Sequence, residues 1–258
     1  MTPILKVPGT TAETFVPPEL KGLCRWGGIA AFGLLLYTLC TLVQAAIIGM
    51  GAPSDTAQVF ALLHENGLEG LLRLDLPTVL CMPLYYLVFI GLFAALRRVD
   101  FSNAALSTAL AFVGNTLVLA TPTALPMLRL SEMYFAASTE AQKAQYLAAG
   151  QAVMATDIWH STGAVVGAIL LQVGAVLICY VMLRGGVFSR RTAWLGLVMH
   201  GLDLLHLLSG HFVPLAGIVL MALAGVLYPF WFFLIGRRLL RLAAKRVTED
   251  VGALASAR

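Results

Sequence analysis

Apolar residues in this chain come in long runs of membrane-spanning length, not in the short alternating stretches that strands require. Six runs are predicted as helices: 26–49, 75–96, 104–128, 157–183, 192–210 and 213–236. At about 1.5 Å per residue each can cross a hydrocarbon core of about 30 Å, the fifth only just. The expected fold is all-α, a polytopic transmembrane bundle of six helices over 26–236. A segment 1–25 precedes it and a basic tail 237–258 follows.

The polar stretches between runs carry their own pattern. In 54–72, Val59, Leu62 and Leu63 recur at helical spacing among Gln58, His64, Glu65 and Glu69, with Ser54 as a candidate N-cap. This predicts a short helix at the membrane interface between spans one and two, broken near Gly67. Residues 139–154 have Thr139 as a cap candidate and are expected to feed into span four. Spans five and six are joined only around His211 and Phe212, which predicts an antiparallel hairpin. Prolines inside spans (Pro77, Pro83, Pro122, Pro126, Pro229) predict kinks. Gly163, Gly167 and Gly174 suit close packing of span four.

Charge orients the bundle. Of the seventeen Lys and Arg, all but Arg73, Arg129 and Lys143 fall before span one, between spans two and three, between four and five, or after six. This asymmetry predicts both termini in the cytoplasm and 54–72 outside. Only 12% of residues are charged against 59% hydrophobic, too few to cover a soluble surface, where about 25% is usual. The net charge of +4 is explained by helix-end placement, so nucleic acid is not expected as a partner. Cys24, Cys40, Cys81 and Cys179 show no C-x-x-C spacing and read as small apolar residues. No signal peptide is read in residues 1–22. Trp26, Trp159, Trp194 and Trp231 near span ends read as interfacial anchors.

Ionisable residues inside the runs are the candidate chemistry, because charge in hydrocarbon is costly and normally faces a bundle interior or water. His200, Asp203 and His206 lie within one sector of about 120° on span five. Asp157 and His160, placed in the first turn of span four, are i, i+3 neighbours. Arg73 and Asp75 enter span two, Arg129 and Glu132 leave span three, His211 lies in the last outer turn, and Asn115 lies deeper in span three. These residues are expected to meet in one outward-facing pocket, with spans four and five adjacent and His160 close to Asp203 or His206. The plainer alternative is solvated helix ends for Asp75, Glu132 and Asp157, and a helix-locking pair for Asp203 and His200.

The chemistry stays open at this point. Four histidines and two aspartates could ligate zinc, but the H-x-x-x-H pair is absent and His200 and His206 are six apart, so no metal or other cofactor is identified. Haem between facing histidines has less support still. Ser161 beside His160 lacks the geometry of a nucleophile. Asp203 or Asp157 with a histidine suits general acid–base work better.

The stretches GLCRWGGIAAFGLLL, GLLRLDLPTVL, AALRRV and RRTAWLGLVMHGLDLLHLLSG together resemble a family of uncharacterised bacterial six-helix integral membrane proteins, over roughly 22–240. The resemblance implies six spans, both termini inside and a multi-pass place in the bacterial cytoplasmic (inner) membrane. It implies no activity and no functional residue. The expected function is binding or handling of a small amphiphile or membrane lipid, in transport, sensing or as an accessory subunit. The alternative is a membrane-embedded enzyme acting on a lipid or isoprenoid by acid–base or metal-assisted chemistry. Pairing with a copy of itself or with another membrane protein is compatible with either.

Overall fold

With few polar side chains to compete for backbone groups, the apolar runs satisfy their N–H and C=O groups within helices. The computed structural model describes residues 16–47, 53, 55–158, 160–210 and 212–244. It is all-α. The helices are α1 (Pro18–Ile47), α2 (Thr56–Glu65), α3 (Gly67–Arg73), α4 (Leu76–Cys81), α5 (Pro83–Leu96), α6 (Phe101–Leu119), α7 (Ala124–Ala136), α8 (Glu140–Met154), α9 (Thr162–Gly185), α10 (Arg190–Ser209) and α11 (Pro214–Ala244). Ser54, Trp159 and His211 lie outside the described residues.

Five stretches are long and apolar enough to cross a membrane: Pro18–Gln44, Leu76–Leu96, Phe101–Ala136, Thr162–Gly185 and Pro214–Ala244. That is the pattern of a multi-pass membrane protein. The stretch expected as span five, now α10, is not among them. It carries Arg190, Arg191, His200, Asp203 and His206, which dilute its apolar content.

Six helices close a ring in chain order. α1 packs on α5, α5 on α6, α6 on α9, α9 on α10, α10 on α11, and α11 back on α1. The short connections α5–α6, α9–α10 and α10–α11 favour such antiparallel neighbours. Close approaches fix the seams. A Cβ on Gly167 of α9 would stand 2.7 Å from the Gly114 carbonyl of α6, and one on Gly174 2.7 Å from the Ser107 carbonyl. The Ser107 hydroxyl donates to the Gly174 carbonyl at 2.7 Å. Gly163, expected to share this role, meets only a methyl of Thr121.

One end of the ring is basic. Cys24 lies against Gly91, Arg184 pairs with Asp100, and Arg238 donates to the Val187 carbonyl. The start of α1, the α5–α6 and α9–α10 connections and the end of α11 therefore share that end. The main core fills this half: Leu92, Leu96, Ile178, Met182, Phe232 and Ile235 are sealed in it. Trp26 and Trp194 are exposed, as anchors would be, but Trp231 is buried in the core at 1% exposure. Its expected role as an anchor is corrected.

The opposite end carries a cap. Val59, Phe60, Leu63 and Met127 form a second core with α3, α7 and α8 packed around it. The Ser131 hydroxyl donates to the Phe60 carbonyl at 2.8 Å. The apolar stripe of α2 thus faces protein. Its N-cap is Asp55, and Asn66 breaks it from α3 by capping Glu69.

The prolines act unequally. Pro122 ends the third run, leaving α6 and α7 as separate helices. Pro83 opens α5 after a break at Met82, whereas Pro229 stays inside α11. The fourth run is also interrupted. α8 stops at Met154, α9 starts at Thr162 under a Ser161 cap, and Asp157 and His160 lie in the turn between. They do not belong to the first turn of a span, as expected. α1 begins at Pro18 and α11 runs to Ala244, beyond the boundaries predicted at 26 and 236.

Candidate functional site

In the half of the ring away from the basic end the helices line a partly open cavity of about 580 Å³. Every ring helix contributes: Tyr37 and Thr41 from α1, Tyr85 from α5, Val118 from α6, Leu171 and Gln172 from α9, Asp203 and His206 from α10, Met221 and Tyr228 from α11. α1 and α11 are in close contact at the basic end, where Gly28 meets Leu240 and Phe32 meets Phe233. Farther along, both helices line the cavity instead. Pro229 lies between these two zones and cannot bond the carbonyl of Gly225, a residue on the cavity wall.

The polar groups gather at the floor. Gln172 Nε2 donates to Asp203 Oδ2 at 2.5 Å and to the Tyr228 hydroxyl oxygen at 3.0 Å. The Tyr228 hydroxyl donates to the same Oδ2 at 2.7 Å. Gln172 Oε1 therefore faces His200, whose Nδ1 lies 2.7 Å away and must be the protonated nitrogen. His200 is 1% exposed and sits behind the floor, edge-on to Trp231 with ring centroids 4.8 Å apart. Its Nε2 and the Trp231 Nε1 are sealed without hydrogen-bond partners. Higher up, His206 Nδ1 lies 3.0 Å from the Gly217 carbonyl and ties α10 to α11.

Of the residues expected in one pocket, His160, Asp203 and His206 line this cavity, and His200 backs it through Gln172. His160 is bonded to Asp157, with Nδ1 and Oδ1 2.7 Å apart. The others serve elsewhere. Asp75 is 4% exposed, so it is no solvated helix end. It caps α7 across the Pro122 break, where Oδ2 accepts the Thr123 N–H and hydroxyl and Oδ1 accepts the Ala124 N–H at 3.0 Å. Arg129 and Glu132 pair with each other at 2.9 Å on the exposed face of α7. After the break at Pro122, α7 packs on α2 and α8, so this pair belongs to the cap. Arg73 lies 3.8 Å from Glu69 and borders a second cavity between α1 and α3. Asn115 donates from Nδ2 to the Met82 carbonyl at 3.1 Å, bridging the break before Pro83.

Gln172, Tyr228 and Tyr85 carry no charge, so the pattern of charged and histidine residues did not single them out. The available signal was Gln172, an amide in the middle of an apolar helix, which needs partners nearly as much as a charge does. Among the described residues no three His, Cys, Asp or Glu side chains come together as a metal site. Compared with known proteins, the chain matches no family model, no curated protein and no solved structure.

Proposed function

We propose that the chain is a six-span protein of the bacterial cytoplasmic membrane, with both termini inside, whose cavity faces outward and binds one small amphiphile or membrane lipid. Transport, sensing and an accessory role all begin with that step. The observation that supports it is the character of the cavity. Its volume, about 580 Å³, lies in the usual range for small-molecule sites. Its walls are mainly apolar, and its polar groups are collected on one floor. α10 serves as the sixth span. Packed between α9 and α11, it turns Asp203 and His206 inward, so neither needs to meet lipid.

Native mass spectrometry of the protein released from nanodiscs tests the reading. A retained small molecule is expected, and Gly225→Leu should reduce its occupancy. A Cβ on Gly225 meets nothing within 4 Å, so the larger side chain fills space without a clash. Absence of any bound molecule from the native protein, with added amphiphiles also failing to bind, would refute it.

A further inference from the structure

The head group of the ligand can be argued from the floor, on the footing that the cavity binds an amphiphile. We propose that the site selects a hydrophobic amine, its protonated nitrogen held by Asp203 among tyrosine rings and its apolar part along the upper wall. Charge is the first reason. Among the described residues, Asp203 is the only carboxylate that lines the cavity, and no Lys or Arg lines it. The basic groups there are His160 and His206. The first is bonded to Asp157 and the second to the Gly217 carbonyl. A phosphate or carboxylate head would find no guanidinium or ammonium to receive it.

Geometry is the second reason. Both internal donors on Asp203, from Gln172 and Tyr228, converge on Oδ2. They hold the carboxylate in one orientation and leave Oδ1 as the open acceptor, so the site is arranged before the ligand arrives. Tyr85 lines the same cavity. The rings of Tyr37, Tyr85 and Tyr228 border the same space, and aromatic faces attract cations. Tyr228 stacks on Phe232 with centroids 5.7 Å apart, and Tyr85 meets Phe232 edge-on at 5.9 Å, which fixes two of these rings. A carboxylate in an apolar bundle gains most from a ligand that brings the opposite charge. A neutral head leaves that charge uncompensated.

Three probes with one apolar skeleton decide the point: 4-phenylbutylamine, 4-phenylbutan-1-ol and 4-phenylbutanoate. Binding is measured by ligand-observed NMR on the full chain in zwitterionic nanodiscs, with empty discs as the blank. The amine is expected to bind about tenfold more tightly than the alcohol, with the carboxylate weakest. Asp203→Asn should erase most of the amine's advantage. Gly225→Leu should weaken all three without changing their order, which keeps the test decisive if Asp203→Asn does not fold. Equal affinities, a preferred carboxylate, or an amine preference that survives Asp203→Asn would overturn the head-group assignment and leave the amphiphile cavity standing. No binding of any probe above the blank would overturn both.

Discussion

Replacing Gln172 by Leu keeps most of the side-chain volume and removes the group through which α9 reaches α10 and α11. Three hydrogen bonds disappear: to Asp203 at 2.5 Å, to Tyr228 at 3.0 Å and to His200 at 2.7 Å. Hydrogen bonds between membrane helices average about 0.6 kcal/mol each, so the bonds alone account for roughly 2 kcal/mol. His200 adds a second effect. It is 1% exposed and its Nε2 already lacks a partner. The substitution leaves its Nδ1–H sealed as well, at about 1–3 kcal/mol for an orphaned buried donor. The expected loss is therefore about 3–5 kcal/mol, read by equilibrium unfolding in mixed micelles. The diagnostic is the double variant. Adding His200→Phe removes the orphaned donor, so the pair should cost at least about 1 kcal/mol less than the sum of the single variants. A loss below about 1 kcal/mol with additive singles would refute the reasoning: it would mean that water reaches His200 and the floor is not sealed.

Asp75→Ala should cost at least the roughly 1–2 kcal/mol of a lost helix cap, and the amides of Thr123 and Ala124 should exchange faster with deuterium; unchanged exchange would remove Asp75 from its capping role. Asp100 caps α6 at the basic end, and the Asn103 side-chain amide, then the Asn103 backbone N–H, hold its pKa below the ordinary carboxylate value, with Arg184 adding to them. Its stabilisation should be complete above the unfolded carboxylate pKa and fade as pH falls through the lowered folded value, so Asp100→Asn should flatten the acid limb of an unfolding-versus-pH curve. For orientation, Cys probes at the exposed Glu65 and Arg98, in a chain without its native cysteines, should label from outside only at 65; the reverse result would invert the bundle and turn the cavity to the cytoplasm.

The membrane-spanning stretches were legible because apolar run length is a one-dimensional signal. The failures have a common cause in contacts between distant parts of the chain. The pattern through 155–161 holds no Gly or Pro, and nothing local showed that Ser161 would start a new helix and leave Asp157 and His160 in a turn. Asp75 looked like a charge at a span entrance. Its function is set by Thr123, brought to it by the break at Pro122. The site itself was half visible. Asp203 stood out as a charge in an apolar helix, but its partners Gln172 and Tyr228 are uncharged and lie on other helices. Their common depth depends on helix register, which close approaches such as Gly167 on Gly114 help to set. An apolar surrounding gives an amide or a phenol few alternatives to a protein partner. Gln172 and Tyr228 were therefore as informative as Asp203, because both donate to its Oδ2 from other helices.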